Sequence, residues 1–273
     1  DLRLSRGLGD VYKRQLSGQC DFANSLAVLR NAGIKRTALW TPMINSCGIS
    51  EAKRIWDSAG MTAESLCVAC LFEDEALLRK QLDLSDMFGA RTLVIITGGF
   101  EALKSAGHNG DIDYARSLLV ERLALAAELA DSYRVRLAFE PLHPMVCGFR
   151  SIVSTLQESL DILDQMDDSH DIGLAIDTYA LWWEHDLQEK LKRAGRRILN
   201  YHVSDWLADT RDLRLDRGMP GDGQIALCDW RHMIEVAGYF GPVEVEIFSR
   251  DRWWKTPAEK MIEEIIQRMN SAF

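Results

Sequence analysis

The segment Val135–Glu140, VRLAFE, is a short apolar run that ends in a carboxylate. The same pattern returns at Ile172–Asp177, IGLAID, and a helical pattern at Ile152–Met166 separates the two runs. Two buried strands joined by a helix form a unit whose strands lie parallel in one sheet. Residues 135–177 therefore predict an α/β fold in which helices pack against a parallel sheet.

This alternation of strand and helix continues on both sides of the segment. We predict further strands at Arg36–Trp40, Ala63–Ala69, Thr92–Thr97, Ile198–Ser204 and Val243–Phe248. We predict further helices at Phe22–Ala32, Glu51–Ala59, Glu75–Phe88, Leu181–Ala194, Leu227–Ala237 and Pro257–Met269, and a long helix that follows the capping residue Asp111. No Pro-rich or Ser-rich linker interrupts the series, so a single domain is the simplest account.

A chain of 273 residues with this rhythm fits either a (β/α)8 TIM barrel or an open doubly wound sheet. No GxGxxG motif follows the first strand, which argues against a dinucleotide-binding sheet and favours the barrel. The barrel needs an eighth strand before Phe22, but residues 1–15 show no alternating apolar pattern. We therefore predict that residues 1–15 are a non-native or disordered leader and that residues 16–273 form one TIM-barrel domain whose first strand is missing or corrupted.

The charge balance of the chain limits its partners. The sequence has 32 basic and 41 acidic residues and a formal net charge of −9, which argue against nucleic acid as a partner. It contains no run of about 18 apolar residues, and its start lacks a secretory pattern. We therefore expect no membrane segment and a cytoplasmic location.

The six cysteines are scattered over a chain long enough to fold without disulfides, and we expect them to be reduced. Cys67 and Cys70 form a CxxC pattern of the kind found in redox and zinc sites. On the strand predicted there, residues three apart point to opposite faces, so the two thiols would not face each other. We interpret both as packing residues.

Reactive groups of a (β/α) barrel lie at the carboxyl ends of its strands. Four polar side chains end consecutive predicted strands: Glu140, Asp177, His202 and Glu246. Buried carboxylates are costly unless they are paired, hydrogen-bonded or bound to a cation. Three carboxylates and one imidazole suit a divalent ion, with Mn²⁺, Mg²⁺ or Co²⁺ favoured and Zn²⁺ also compatible. The alternative is that each acid caps a helix or pairs with an arginine.

Five segments carry a family resemblance: EPLHPM (Glu140–Met145), DTYALWW (Asp177–Trp183), HVSDW (His202–Trp206), DRGMPGDG (Asp216–Gly223) and VEVEIFS (Val243–Ser249). Together they resemble the sugar phosphate isomerase/epimerase family. That family has the xylose isomerase-like TIM barrel and includes ketose 3-epimerases, hydroxypyruvate isomerases and inosose dehydratases. The resemblance implies that the four strand-end residues are metal ligands, that Glu140 and Glu246 are also the catalytic acid and base, and that Arg217 holds substrate oxygens.

The resemblance further implies a metal-dependent isomerase or epimerase that acts on a small sugar, keto-sugar or sugar phosphate. A divalent ion bound to a carbonyl and an adjacent hydroxyl acidifies the C–H bond between them and stabilises the enediolate. The alternative is a lyase of the inosose dehydratase type, in which the enolate of a polyol-derived ketone expels a hydroxyl group. Members of the family often form dimers or tetramers, so a homo-oligomer is implied as well.

Other side chains near the strand ends are candidates for substrate contacts. Ala180 stands where ketose epimerases of this family usually have a second histidine, so one contact is missing or replaced. His143 is a candidate for contact with substrate, and Trp40 and Trp183 are candidates for an aromatic wall against sugar C–H groups. Asp205 either orients the predicted metal-binding histidine or caps the segment that follows it.

Overall fold

The computed structural model describes residues 20–105, 107, 111–167 and 170–272. Its strands are β1 (Arg36–Trp40), β2 (Thr62–Cys70), β3 (Thr92–Ile96), β4 (Arg136–Phe139), β5 (Ile172–Asp177), β6 (Ile198–Val203) and β7 (Val243–Val245). Each strand pairs in parallel with the next one along the chain, in the order β1 to β7. This arrangement confirms the predicted α/β barrel fold.

Helices alternate with the strands along the chain. They are α1 (Phe22–Asn31), α2 (Thr41–Cys47), α3 (Ile49–Ala59), α4 (Glu75–Phe88), α5 (Phe100–Ser105), α6 (Ile112–Tyr133), α7 (Leu156–Leu163), α8 (Thr178–Leu181), α9 (Leu187–Ala194), α10 (Leu227–Val236) and α11 (Ala258–Ala272). Within the described ranges, no helix combines the length and apolar character needed to cross a bilayer.

The sheet curls until its two ends approach each other. Ser65 on β2 donates a hydrogen bond to Glu244 on β7 across the interior, at 3.0 Å between Ser65 Oγ and Glu244 Oε2. On the outside, α1 packs against α11. The seven described strands therefore form a nearly closed barrel. The predicted leader at residues 1–15 and the predicted eighth strand fall in residues 1–19, outside the described residues.

The barrel interior is filled by small side chains at its middle level. Ala38, Cys67, Val94, Ala138 and Ala175, one from each of β1 to β5, form a separate buried cluster. Because side chains alternate along a strand, the residue two positions after each of these also faces inward. Glu140 follows Ala138 and Asp177 follows Ala175 in this way, so the interior alternation brings both acids to the barrel's carboxyl end.

The two thiols of the CxxC pattern lie in different environments. Cys67 belongs to the interior cluster, while Cys70, at the end of β2, is partly exposed. All six cysteines lie within the described ranges and are free thiols. Burial and the neighbouring Glu73 raise the pKa of Cys70 to about 11, which keeps this thiol protonated and unreactive near neutral pH.

Two predicted helices differ most in extent from the observed ones. The helix predicted at Ile152–Met166 begins only at Leu156, because Thr155 caps it by accepting the Glu158 amide at 3.1 Å. The helix predicted at Leu181–Ala194 begins only at Leu187, directly after Asp186, which adopts a left-handed conformation (φ 53°). Residues such as these set where a helix begins without changing the apolar periodicity.

The predicted strands Val135–Glu140 and Val243–Phe248 end earlier than expected, at Phe139 and Val245. The glutamates that follow nevertheless stay in line with the sheet. The Glu140 amide donates to the Ile95 carbonyl at 2.9 Å, and the Glu246 amide donates to the Val203 carbonyl at 2.9 Å. Both carboxylates are therefore held by backbone hydrogen bonds to a neighbouring strand.

Gly173 in β5 allows the chain to pass close to the segment that enters β6. A Cβ atom at this position would lie 2.1 Å from the carbonyl oxygen of Arg197. We predict that Gly173→Ala lowers the free energy of unfolding by about 1–3 kcal/mol, because the backbone must shift to relieve the clash. Urea unfolding measures this change. Ala124→Ser, on the exposed face of α6, is the control and should change stability by less than about 0.5 kcal/mol. A Gly173→Ala variant as stable as the control would contradict the close approach.

Candidate active site

Four consecutive strands bring the predicted strand-end residues together at one end of the barrel. Glu140 follows β4, Asp177 ends β5, His202 lies in β6 and Glu246 follows β7. Their exposed fractions are 6%, 0%, 0% and 2%. These charged or polar groups are therefore buried as deeply as the apolar core, which requires compensating partners.

Three of the four residues meet at one point. Glu140, His202 and Glu246 each offer a ligand atom, and these atoms lie within 4.8 Å of one another. His202 Nδ1 lies 2.9 Å from Glu140 Oε1 and 3.8 Å from Glu246 Oε2. This set of two carboxylates and one imidazole has the donor types and spacing to hold one metal ion.

Asp177 is linked to this set of three residues through the guanidinium group of Arg217. Its Oδ1 atom accepts the Tyr179 amide at 2.9 Å, and its Oδ2 atom accepts Arg217 Nη1 at 2.9 Å. The same Arg217 Nη1 lies 3.3 Å from Glu246 Oε2. The structure thus brings three predicted ligands into one set and links the fourth to it by a shared guanidinium group.

Arg217 is held over aromatic rings in the long segment between β6 and α10. Its amide donates to the Phe248 carbonyl at 2.8 Å. Its guanidinium carbon lies 4.3 Å from the centre of the Tyr179 ring and 5.2 Å from that of Phe248. The side chain is only 11% exposed. Burial lowers the pKa of Arg217, but Asp177 and Glu246 raise it to a net value above its usual range, so the group stays charged.

The acids of the site are incompletely balanced by these cations. Burial raises the pKa of Asp177 to about 6, and repulsion from Glu246 and Glu140 adds to the shift although Arg217 opposes it. Burial alone would lower the pKa of His202, but the neighbouring carboxylates of Glu140 and Glu244 raise it well above its usual value. A divalent cation among these groups would supply the missing positive charge, and oxygen donors with one imidazole suit such an ion. The residues therefore fit a metal ion.

A cavity opens directly over this cluster. Glu140, Glu246 and Arg217 form its polar wall, and the remaining lining includes Val68, Leu142, His143, Val146, Arg150, Tyr179, Ala180, Leu213, Arg214 and Phe248. A second cavity of about 760 Å³ lies beside the first, near the ends of β2 and β3, and the two share Arg150. Glu140, Glu246 and Arg217 therefore face a cavity at this end of the barrel, whereas Asp177 and His202 lie outside its lining.

His143 lies in this cavity wall, as does Ala180. The Nδ1 atom of His143 accepts a hydrogen bond from the Met145 amide at 3.2 Å, which leaves the ring hydrogen on Nε2. The ring stacks on Trp206 at 4.6 Å between centres and 26° between planes. Burial and the nearby charge of Arg217 lower the pKa of His143 to about 4. The ring is therefore a neutral, rigidly held hydrogen-bond donor near neutral pH.

The two tryptophans predicted at the mouth lie outside the described lining of this cavity. Trp183 donates from Nε1 to the Ala180 carbonyl at 2.7 Å, and its ring meets His143 edge-on at 6.1 Å between centres. Trp40, at the end of β1, is partly exposed and packs against the hydrophobic core. Trp183 thus contacts the His143 ring, and Trp40 packs against the hydrophobic clusters directly before α2.

Asp205 organises a loop rather than the His202 ring. Its buried carboxylate accepts the amides of Trp206 at 2.9 Å, Gly221 at 3.0 Å, Gly223 at 2.8 Å and Ile225 at 3.0 Å. These four hydrogen bonds use both carboxylate oxygens. Of the two predicted roles for Asp205, the structure shows the capping of the following segment.

Glu244 is a buried residue near the site that the sequence analysis did not single out. It is 1% exposed and lies two positions before Glu246. Its Oε2 atom is 3.4 Å from His202 Nε2. The signal was present in the sequence, because residues two apart on a strand point to the same side. VEVEIF therefore places both glutamates inside the barrel.

Residues 72–272 match the family model described as xylose isomerase-like TIM barrel. The crystal structure of protein SMc04130 from Sinorhizobium meliloti 1021 is 36% identical to this chain, with a TM-score of 0.87. The alignment covers 97% of this chain and 98% of that one. This chain belongs to the xylose isomerase-like TIM barrel family.

Two further solved structures share the xylose isomerase-like barrel at lower identity. The IolI protein, in a structure with a bound zinc atom, is 17% identical, with a TM-score of 0.80 and coverage of 97% of both chains. A D-allulose 3-epimerase from Methylomonas sp. is 16% identical, with a TM-score of 0.74 and coverage of 98% of this chain and 99% of that one. At these identities the comparisons show a shared fold and nothing further. No curated protein matches the sequence significantly.

We predict that Asp205→Asn loosens the loop that carries Arg217, because an amide group has one acceptor oxygen where the carboxylate has two. Hydrogen–deuterium exchange followed by mass spectrometry should show at least tenfold faster exchange in peptides that contain Gly221, Gly223 and Ile225. Asp209→Asn is the control, since Asp209 is exposed and pairs with Arg252. Equal exchange in the two variants would show that Asp205 does not hold the loop.

We predict that the His143 ring titrates near pH 4, as measured by the NMR shift of its ring CH groups. An ordinary histidine in the unfolded chain titrates near 6.5. Between these values the unfolded state binds more protons than the folded state, so the stability contributed by neutral His143 is lost as pH falls from 6.5 towards 4. His143→Asn should therefore lose less stability than the wild type over this range. A ring that titrates near 6.5 would contradict this environment.

Proposed function

We propose that this chain is a divalent-metal-dependent isomerase or epimerase that acts on a small sugar, keto-sugar or sugar phosphate. The observation that carries the proposal is the set of Glu140, His202 and Glu246 beneath a cavity, with ligand atoms within 4.8 Å of one another. The proposal is supported by proteins of the same fold, which include a D-allulose 3-epimerase and the zinc-bound IolI protein.

The metal ion would be held by Glu140, Asp177, His202 and Glu246. Mn²⁺, Mg²⁺ or Co²⁺ fits this oxygen-rich set best, and Zn²⁺ is also compatible. Such an ion, when bound, acidifies the C–H bond beside a ketone and favours negative charge on the substrate oxygens. The Asp177 Oδ2 atom accepts a hydrogen bond from Arg217, so Arg217 supplies positive charge beside these acidic ligands.

Glu140 and Glu246 are the proton-transfer groups in this proposal. Both carboxylates line the cavity, and they come from opposite ends of the β4 to β7 segment of the barrel. A proton taken from one face of a carbon by one carboxylate and returned to the other face by the second gives epimerisation. Return of the proton to the neighbouring carbon gives isomerisation. Arg217 Nη1 contacts Glu246 and can donate to substrate oxygens as they gain negative charge.

His143 takes the role of the second histidine that ketose epimerases of this family usually have at the position of Ala180. Both residues line the cavity, and the stacking on Trp206 fixes the His143 ring. With Nδ1 occupied by the Met145 amide, Nε2 carries the hydrogen that a substrate hydroxyl can accept. Because the ring is neutral, it binds a sugar hydroxyl without adding charge beside the metal site.

Incubation in D₂O tests the proposed reaction. The metal-free protein, prepared with EDTA and reloaded with Mn²⁺, is given a panel of ketoses, ketose phosphates and inosose-type ketones. The proposal predicts an isomeric product that has gained one non-exchangeable deuterium, and no turnover without metal. A product that has lost water would indicate the inosose dehydratase type of lyase instead. Full turnover by the metal-free protein would exclude the proposed mechanism.

We predict that Glu140→Gln and Glu246→Gln each lower turnover by about 10²–10⁴-fold, because a neutral amide cannot accept a proton from carbon. The fold should persist, since these side chains face the cavity rather than the core. Glu264→Gln, on the surface of α11, is the matched control and should keep full activity. Steady-state kinetics and circular dichroism measure the two effects. Wild-type turnover in either active-site variant would rule out its role in proton transfer.

A further inference from the structure

A third buried glutamate lies inside the barrel beneath the candidate active site and has no part in the proposed chemistry. Glu244 on β7 is 1% exposed. Its carboxylate accepts hydrogen bonds from Asn200 Nδ2 at 2.7 Å and Ser65 Oγ at 3.0 Å, both buried. A carboxylate held this deeply is costly unless it serves a cationic or proton-donating partner. Its remaining neighbour is the ring of His202.

The His202 ring lies between two groups of carboxylates. Nδ1 is 2.9 Å from Glu140 Oε1 and faces the cavity side of the cluster. Nε2 is 3.4 Å from Glu244 Oε2 on the opposite side. A neutral imidazole can offer a lone pair to a cation from one nitrogen only while the other nitrogen carries the hydrogen. The position of Glu244 therefore decides which His202 nitrogen has a lone pair available to bind the ion.

The carboxylate of Glu244 is itself fixed. Ser65 on β2 and Asn200 on β6 donate to it from two sides, so the group cannot turn away from the His202 ring without losing both hydrogen bonds. Asn200 is 3% exposed and Ser65 is 0% exposed, so little water competes for these contacts. The three residues form a rigid polar support that spans the interior from β2 to β7.

We propose that Glu244 is the positioning residue for the metal-ligating histidine. It accepts the Nε2 hydrogen of His202, keeps the ring in this tautomer and directs Nδ1 to the metal site. This inference rests on the proposed metal site and adds a residue that acts on the ion only through His202. A carboxylate that accepts a hydrogen bond from a ligating imidazole raises the basicity of the ligand and restrains its ring.

Nitrogen NMR of the unmodified protein tests the tautomer directly. Protein with ¹⁵N-labelled histidine is loaded with Zn²⁺, and the His202 signals are identified by their absence in His202→Gln. The proposal predicts that Nε2 carries a slowly exchanging hydrogen and that Nδ1 shows the shift of a zinc-bound nitrogen. A hydrogen on Nδ1, or zinc bound through Nε2, would overturn it. This measurement does not depend on the folding of any Glu244 variant.

Metal titration of Glu244→Gln measures the contribution of the carboxylate. The glutamine keeps the size of the side chain and an acceptor oxygen but removes the charge, and the affinity for Zn²⁺ should fall about 10–100-fold. Tyr201→Phe is the matched control. Tyr201 neighbours His202 on β6, is fully buried, and its hydroxyl makes no hydrogen bond among the described residues. This control should bind Zn²⁺ as tightly as the wild type.

The outcomes separate this inference from the proposed function. Wild-type zinc affinity in Glu244→Gln would overturn the positioning role, while metal-dependent turnover would still support the proposed function. Failure of the wild-type protein to bind any divalent ion would contradict the proposed function and, with it, the positioning role. Reduced affinity in Glu244→Gln with unchanged affinity in Tyr201→Phe would support both.

Discussion

Carboxylates buried inside the barrel must be balanced by positive charge, and this requirement organises the candidate active site. Glu140, Asp177 and Glu246 lie at the carboxyl ends of their strands with almost no solvent exposure. Arg217 balances part of this charge through Asp177 and Glu246, and His202 through Glu140. The divalent ion that we propose completes the balance and makes the same acids chemically useful.

The remainder of the fold fixes the positions of these charged groups. Small interior side chains let the strands approach closely enough for their end residues to meet. Asp205 gathers the amides of the loop after β6, and the backbone of Phe248 fixes Arg217 at the edge of that loop. Backbone hydrogen bonds between strands and loops therefore set the positions of the charged groups before any substrate arrives.

The sequence predicts the fold well where the signal is local. β1, β5 and α4 have the predicted bounds because apolar runs mark the two strands and Gly89 directly follows the last turn of the helix. The short helices α2 and α5 were not predicted, since one or two turns carry too little periodicity to recognise. The bounds of α7 and α9 depend on a cap and a left-handed residue, which apolar spacing does not reveal.

The sequence predicts which residues meet in the candidate site, but it does not predict which of their atoms contact each other. Strand ends identify Glu140, Asp177, His202 and Glu246, because the barrel gathers such residues at one end. The sharing of Arg217 between Asp177 and Glu246 follows from three-dimensional distances that no spacing contains. The sequence also left two roles open for Asp205, since most of the amides that it binds come from 16 to 20 residues later in the chain.

Anomalous X-ray scattering from a crystal of the Mn²⁺-loaded protein tests the central claim most directly. We expect a single strong manganese peak, with ligand atoms of Glu140, Asp177, His202 and Glu246 within about 2.0–2.4 Å of it, as expected for oxygen and nitrogen ligands of divalent ions. A protein saturated with Mn²⁺ that shows no peak among these side chains, or shows its peak elsewhere, would contradict the account.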